Sequence, residues 1–210
     1  MIIQCDFDGT IATDNISILI REEFAAGEWR KMEADYFQGK VSVEESNRRQ
    51  FTLLREPRDK LVAFAQKHGQ VKAGFLEFVN YCRSKDIEFV IVSSGLDFYI
   101  QAILEKISAP ELELHCARTT FGQEGITVTY TGPDGNTVKK GFKKQYLDWL
   151  RQRSNAIAYI GDGLSDLEPA SSADYVFATG SLSKLLEANS ISHYTFSNFH
   201  DILKQIRRIP

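Results

Sequence analysis

The chain has 210 residues, of which 43% are hydrophobic and 25% charged, and its formal net charge is -3. That is enough apolar chain for a full core with room for an insertion, and the charge offers no broad basic field for nucleic acid or an anionic membrane surface. Its N-terminus, Met-Ile-Ile-Gln-Cys-Asp, lacks the basic region and apolar stretch of a secretion signal, and no apolar run approaches the roughly 18 residues of a membrane span, so a cytoplasmic location is expected.

Four short runs rich in β-branched or aromatic residues predict buried parallel strands: Ile2-Ile3, Phe89 to Val92, Ala156 to Ile160 and Tyr175 to Ala178. Between the first two lies a charged and aromatic stretch from about Ile11 to His68, with helical spacing and Pro57 as a breaker. It predicts a small helical cap over residues 13–69, inserted after the first strand of a core made of residues 1–12 and 70–210. Helical periodicity resumes at Phe75, Phe78, Val79 and Cys82, and again at Tyr146, Leu147 and Leu150. The expected fold is therefore α/β, a Rossmann-like parallel sheet flanked by helices. From Thr119 to Lys140, the alternation Gly-Ile-Thr-Val-Thr-Tyr-Thr followed by Gly-Pro-Asp-Gly-Asn predicts a hairpin that turns at Pro133 and Gly135. Cys5, Cys82 and Cys116 are odd in number and show no paired spacing, so buried thiols are expected rather than disulfides or structural zinc. The four histidines have no metal-ligand spacing.

Three of the strands end in small or acidic clusters, and in open parallel sheets ligands bind beyond the carboxyl ends of the strands. Asp6-Phe7-Asp8-Gly9-Thr10 places two carboxylates at i, i+2 on one side of a strand end, and Gly9 permits a sharp bend. Gly161-Asp162-Gly163-Leu164-Ser165-Asp166 brings two more to the same edge, although Asp166 could equally cap the helix that follows. Clustered carboxylates repel unless a hard cation or a shared proton compensates them, and magnesium suits oxygen ligands. Ser93-Ser94-Gly95 offers a hydroxyl and backbone N–H groups to phosphate oxygens. Lys139, Lys140, Lys143 and Lys144 precede a helix, and one of them could neutralise a transferring phosphoryl group.

Taken together, Asp-Phe-Asp-Gly-Thr, the serine after the second strand, a later lysine and Gly-Asp-Gly-x-Ser-Asp resemble the four motifs of haloacid-dehalogenase-like phosphatases, over nearly the whole chain. The helical insertion resembles the cap of the phosphoserine-phosphatase-like branch. The resemblance implies a Mg2+-dependent phosphomonoesterase acting on a small phosphorylated metabolite, with no nucleic-acid or membrane partner. It makes Asp6 the nucleophile, Asp8 the acid and base, Ser93, Ser94 and Lys143 the phosphate-binding groups, and Asp6, Asp8 and Asp162 the metal ligands, with Gly163 and Asp166 as possible additions. Lys143 is preferred to its neighbours because Tyr146, Leu147 and Leu150 then follow on one apolar face.

Phosphoserine phosphatases typically carry a glutamate seven residues after the second aspartate, where this chain has Asn15, and a neutral amide pairs poorly with an ammonium group. The run Ser93 to Ile100, with Trp29, Tyr36, Gly39, Val41-Ser42 and Glu44 before it, resembles the group that contains the methionine-salvage enzyme 2-hydroxy-3-keto-5-methylthiopentenyl-1-phosphate phosphatase. Gly141-Phe142 stand where that group often has paired cysteines. A phosphoserine or phosphocholine-type phosphatase, or a phosphotransferase with the same covalent intermediate, is the alternative. Trp29, Tyr36, Arg48, Arg49 and Arg55 could read a substrate from the cap, although an amphipathic helix exposes arginines and buries aromatics in any case.

Overall fold

A computed structural model describes residues 1–209. Its sheet contains seven strands among the described residues, in the order β4-β3-β2-β1-β5-β6-β7. The strand β1 (Ile2–Cys5) is buried on both faces and pairs in parallel with β2 (Glu88–Leu96) on one side and β5 (Ile157–Gly161) on the other. Continuous burial explains why these strands read as unbroken apolar runs rather than as alternating ones. Beyond β5 lie β6 (Tyr175–Ala178) and the short β7 (Tyr194–Thr195), both parallel. The chain winds outward in both directions from β1, so the crevice at its carboxyl end is the switch point where such sheets bind ligands.

On the other side, β3 (Glu113–Gly122) runs parallel to β2, and β4 (Gly125–Thr129) folds back antiparallel to it. The strand Gly125–Thr129 thus pairs with the segment before it, through a turn between Gly122 and Gly125, while the expected turn at Gly-Pro-Asp-Gly-Asn also forms as a smaller one bridged by Thr131 and Thr137, in which Gly135 takes φ +81°. The arm β3 escapes an apolar-run reading because much of it is only partly buried near the sheet edge.

Between β1 and the sheet-flanking helix α5 (Phe75–Ser84) the chain forms four helices: α1 (Ile16–Phe24), α2 (Trp29–Phe37), α3 (Val43–Phe51) and α4 (Arg58–His68). Asn15 caps α1 by accepting from the Ile18 N–H at 2.9 Å, and Ser42 caps α3 by accepting from Glu45. Where the chain leaves and re-enters the sheet layer, Ala12 bridges Val71, and the Thr13 N–H donates to the Gln70 carbonyl at 2.9 Å. This pinch closes the excursion over residues 13–70. The remaining helices that matter below are α6 (Asp97–Lys106), which follows β2, and α7 (Phe142–Arg151), which precedes β5. No helix among the described residues is long and apolar enough to cross a membrane.

Candidate active site

Asp6 is the first residue beyond β1, and its N–H still donates to the Ile160 carbonyl of β5 at 2.9 Å. Its backbone is thus set by the sheet. The next residues coil into a tight turn in which Thr10, Ile11 and Ala12 all donate to the Phe7 carbonyl, and Gly9 takes φ +72°. A Cβ at Gly9 would overlap the Asp162 carboxylate, so the absence of a side chain lets the two strand ends approach. Thr10 Oγ1 donates to Asp162 Oδ1 at 3.0 Å across the same gap.

Lys143, in the first turn of α7, is buried and lies 2.8 Å from Asp6 Oδ1 and 2.6 Å from Asp166 Oδ1. Lys144 instead pairs with Asp148 at the surface, in agreement with the apolar-face argument. The start of α7 is fixed from the inserted helices: Glu44 accepts from the Phe142 N–H at 2.8 Å. Asp166 is fully buried and accepts from the N–H groups of Asp162 and Gly163 and from Tyr159 Oη. Its side chain does not cap the helix that follows, as the sequence allowed, because it turns back to staple the loop after β5 and joins the charged cluster.

One carboxylate oxygen from each of Asp6, Asp162 and Asp166 lies within 4.8 Å of the others. Burial pushes the Asp6 carboxyl well above its usual range, against the opposing pull of Lys143. Burial raises Asp8 as well, opposed by hydrogen bonds from Tyr99 and from backbone N–H groups. Asp162 is pushed up to about 6, by burial first and the Asp166 carboxylate second. For Lys143, burial favours the neutral form but the carboxylates of Asp166 and Asp6 outweigh it, so the ammonium persists. The site thus carries more buried anion than its own cations balance.

Ser93 and Ser94 lie within the carboxyl end of β2 rather than after it, where the pairing with β3 shifts register between Val92 and Leu96, and both are buried and line the crevice. Ser93 Oγ accepts from the Gly95 N–H at 3.0 Å, while the Ser94 carbonyl accepts from Asn47 Nδ2 and Tyr130 Oη. Asp8 turns toward the inserted helices, where its Oδ1 accepts from the Ile16 N–H at 2.8 Å.

These residues line a cleft of about 270 Å³, with Gly163 at its rim and a far wall formed by the inserted helices. On that wall Arg21 is buried and pairs with Glu33 at 3.0 Å, its guanidinium lying 5.4 Å from the Trp29 ring. Ser17, Asn47 and Gln50 complete the polar surface, with Tyr36 beside them. Arg21, Glu33, Asn47 and Gln50 carry no signal in the sequence reading, and Tyr99 enters it only as one position of the Ser93 to Ile100 run. Arg21 and Glu33 lie twelve residues apart on different helices, and no periodicity links them. Of the five side chains on the inserted helices that could read a substrate, Trp29 is buried as packing, Arg49 pairs with Glu45, Arg55 donates to the Thr52 carbonyl and Arg48 to the Val138 carbonyl, leaving Tyr36 at the cleft. The three cysteines are free thiols.

A model of the haloacid dehalogenase-like hydrolases matches residues 3–171. A 2-hydroxy-3-keto-5-methylthiopentenyl-1-phosphate phosphatase of Brevibacillus brevis is 32% identical over 100% of this chain and 96% of its own length, and one from Geobacillus kaustophilus is 30% identical over the same shares. Among solved structures, a phospho-aspartyl intermediate analogue of phosphoserine phosphatase superimposes with a TM-score of 0.72 at 21% identity, covering 97% of each chain. A substrate-bound phosphoserine phosphatase gives 0.71, also at 21% identity and 97% coverage of each chain. The chain belongs to the haloacid dehalogenase-like hydrolase family, as one of its phosphoric monoester hydrolases.

Proposed function

We propose that this protein cleaves the phosphomonoester of a small metabolite in two displacements at Asp6, inside a cleft that residues 13–69 close as a cap over a core of residues 1–12 and 70–210. The observation that carries the reading is the meeting of Asp6, Asp162 and Lys143 at the carboxyl edge of the sheet, within one cleft. An Asp6 carboxylate oxygen attacks phosphorus as the bond to the leaving oxygen breaks, and Asp8 gives that oxygen its proton. Asp8, now a carboxylate, takes a proton from water as the water oxygen attacks the phosphoryl group, which frees Asp6 and releases phosphate. Ser93 Oγ, the N–H groups after it and Lys143 hold the phosphoryl oxygens and neutralise their charge.

A hard divalent cation fits the donor set, because the buried carboxylates of Asp6 and Asp162 sit together with raised affinities for protons. Mg2+ would be held by those two side chains and the Asp8 carbonyl, and when bound it supplies charge that lets an anionic nucleophile approach an anionic ester. Asp166 is less suited to ligation, since both its oxygens are already engaged by Lys143, Tyr159 and two N–H groups. We assign it and Gly163 to holding Lys143 and the loop.

The methionine-salvage enol phosphate named for the full-length relatives is the leading substrate, in the cytoplasm, a setting consistent with three free thiols. Against phosphoserine, the Asn15 side chain is neutral and its Oδ1 is spent on capping α1. Phosphate release over a panel of that intermediate, phosphoserine, phosphocholine and sugar phosphates tests the assignment, and an added alcohol acceptor detects phosphotransfer. Asp6→Asn should abolish hydrolysis of p-nitrophenyl phosphate with the fold intact, and chelation should do so reversibly. Full activity in that variant overturns the mechanism.

A further inference from the structure

Tyr99 sits in the first turns of α6, five residues past the phosphate-binding Ser94, and is fully buried. A buried tyrosine needs a partner for its hydroxyl, and here the partner is a side chain of the proposed reaction machinery: Tyr99 Oη donates to Asp8 Oδ2. The other oxygen, Oδ1, accepts from the Ile16 N–H at 2.8 Å. Asp8 is therefore gripped at both oxygens, from the core helix α6 on one side and from the first cap helix α1 on the other. Two anchored oxygens fix the carboxyl plane as well as its position.

Gly95 completes the arrangement. A Cβ there would overlap Tyr99 Oη and sit 2.7 Å from Asp8 Oδ2, so the phenol reaches the carboxyl only over a residue without a side chain.

The geometry points to Tyr99 as a positioning residue that aims the Asp8 carboxyl at the leaving-group oxygen, through a hydrogen bond passing over Gly95. This rests on the acid and base role proposed above for Asp8. In the first displacement the proton on Asp8 moves to the departing alkoxide as the bond between phosphorus and that oxygen breaks and the Asp6–phosphorus bond forms. A mis-aimed carboxyl delivers that proton poorly, and geometry of this kind commonly controls rate by about 100-fold. The loss must depend on the leaving group, because p-nitrophenolate departs without a proton and an alkoxide does not.

The test compares kcat/KM, which reports the first displacement, for p-nitrophenyl phosphate and for propyl phosphate in wild type, Tyr99→Phe and Asp8→Asn. Tyr99→Phe should lower the propyl phosphate value about 10- to 100-fold and the p-nitrophenyl phosphate value less than about 3-fold, with Asp8→Asn showing a larger split of the same sense. The ratio of the two substrates within one preparation does not depend on the fraction folded, so partial unfolding cannot mimic the result. A split in Asp8→Asn with none in Tyr99→Phe overturns the positioning role alone. No split in Asp8→Asn overturns the acid role and the positioning role with it.

Discussion

The Asn47 side chain on α3 donates from Nδ2 to the Ser94 carbonyl at 2.8 Å, tying the inserted helices to the carboxyl end of β2. The same amide reaches Tyr130 Oη at 2.8 Å, and Tyr130 donates in turn to the Ser94 carbonyl at 2.6 Å. All three groups are buried, so none can exchange its partner for bulk water. Removing the amide leaves the carbonyl one donor poorer. We expect Asn47→Ala to cost about 1–2 kcal/mol of stability and to raise KM for phosphomonoesters several-fold. Denaturant titration and steady-state phosphate release read the two effects, and an unchanged KM would show that the end of β2 holds its shape without the Asn47 bond.

Lys143 and Lys144 are adjacent in sequence but opposite in consequence. Lys143→Met strands Asp6 and Asp166 without their cation, which should destabilise the fold by about 3–5 kcal/mol and lower turnover by at least about 100-fold. Lys144→Met removes only a surface pair with Asp148, worth under about 1 kcal/mol, and should leave turnover near wild type. Thermal melts and phosphate release on the two variants check the contrast. Equal losses would refute the assignment of the lysine.

Asp162 sets a pH dependence whose sign follows from its raised value of about 6 against an unfolded carboxyl near 3.8. Below the unfolded value both states are protonated. As pH climbs, the unfolded chain gives up its proton first, so stability falls between about pH 4 and pH 6, by at most about 3 kcal/mol for this group. Asp162→Asn cannot ionise. In chelator at pH 7.5 it should melt above wild type, and it should gain little from magnesium, which should stabilise wild type strongly. Melting curves from pH 4 to 8, with chelator or with magnesium, decide this.

Gly9 and Gly39 both adopt positive φ, at +72° and +71°. A Cβ at Gly39 would meet nothing within 4 Å, whereas one at Gly9 would collide with the Asp162 carboxylate, placed 2.8 Å from its Cγ. Gly39→Ala should cost about 1 kcal/mol, the backbone term alone. Gly9→Ala should cost more and weaken magnesium binding about 10-fold or more, because the second strand end is pushed away. Calorimetric titration with magnesium separates them.

Much of the site was legible because its chemistry is written locally. The strand β1 and the two aspartates after it, the Gly-Asp-Gly run at the end of β5 and the apolar face of α7 each show within a dozen residues, and once the family resemblance calls for one lysine, periodicity favours Lys143 over Lys144. The arm β3 was not legible. Its Leu114, His115 and Cys116 lie near the sheet edge and are only partly buried, so they carry no continuous apolar signal, and the hairpin it makes with β4 comes in addition to the expected turn at Pro133 and Gly135. Arg21, Glu33 and Tyr99 escaped for another reason. Each looks like an ordinary helix residue until its partner, far away in sequence, is known.

The amino-acid sequence by itself determined the α/β alternation, the inserted helical stretch and the acidic strand ends, because strand burial, helical period and charge clusters are short-range patterns, and its resemblance to the four family motifs singled out Asp6, Asp8, Ser93, Lys143 and Asp162 as candidates. Only the tertiary structure decided that Lys143 stands between Asp6 and Asp166, that Asp8 is gripped by Tyr99 and Ile16, and that Arg21 with Glu33 forms the far wall of the cleft. The Lys143 pairs and the Tyr99 bond join residues at least 23 positions apart along the chain, and the sheet and the helices packed on it brought them together by burying apolar surface elsewhere. Long-range polar contacts of this kind leave no period in a sequence, since each depends on where two independently folded segments come to rest.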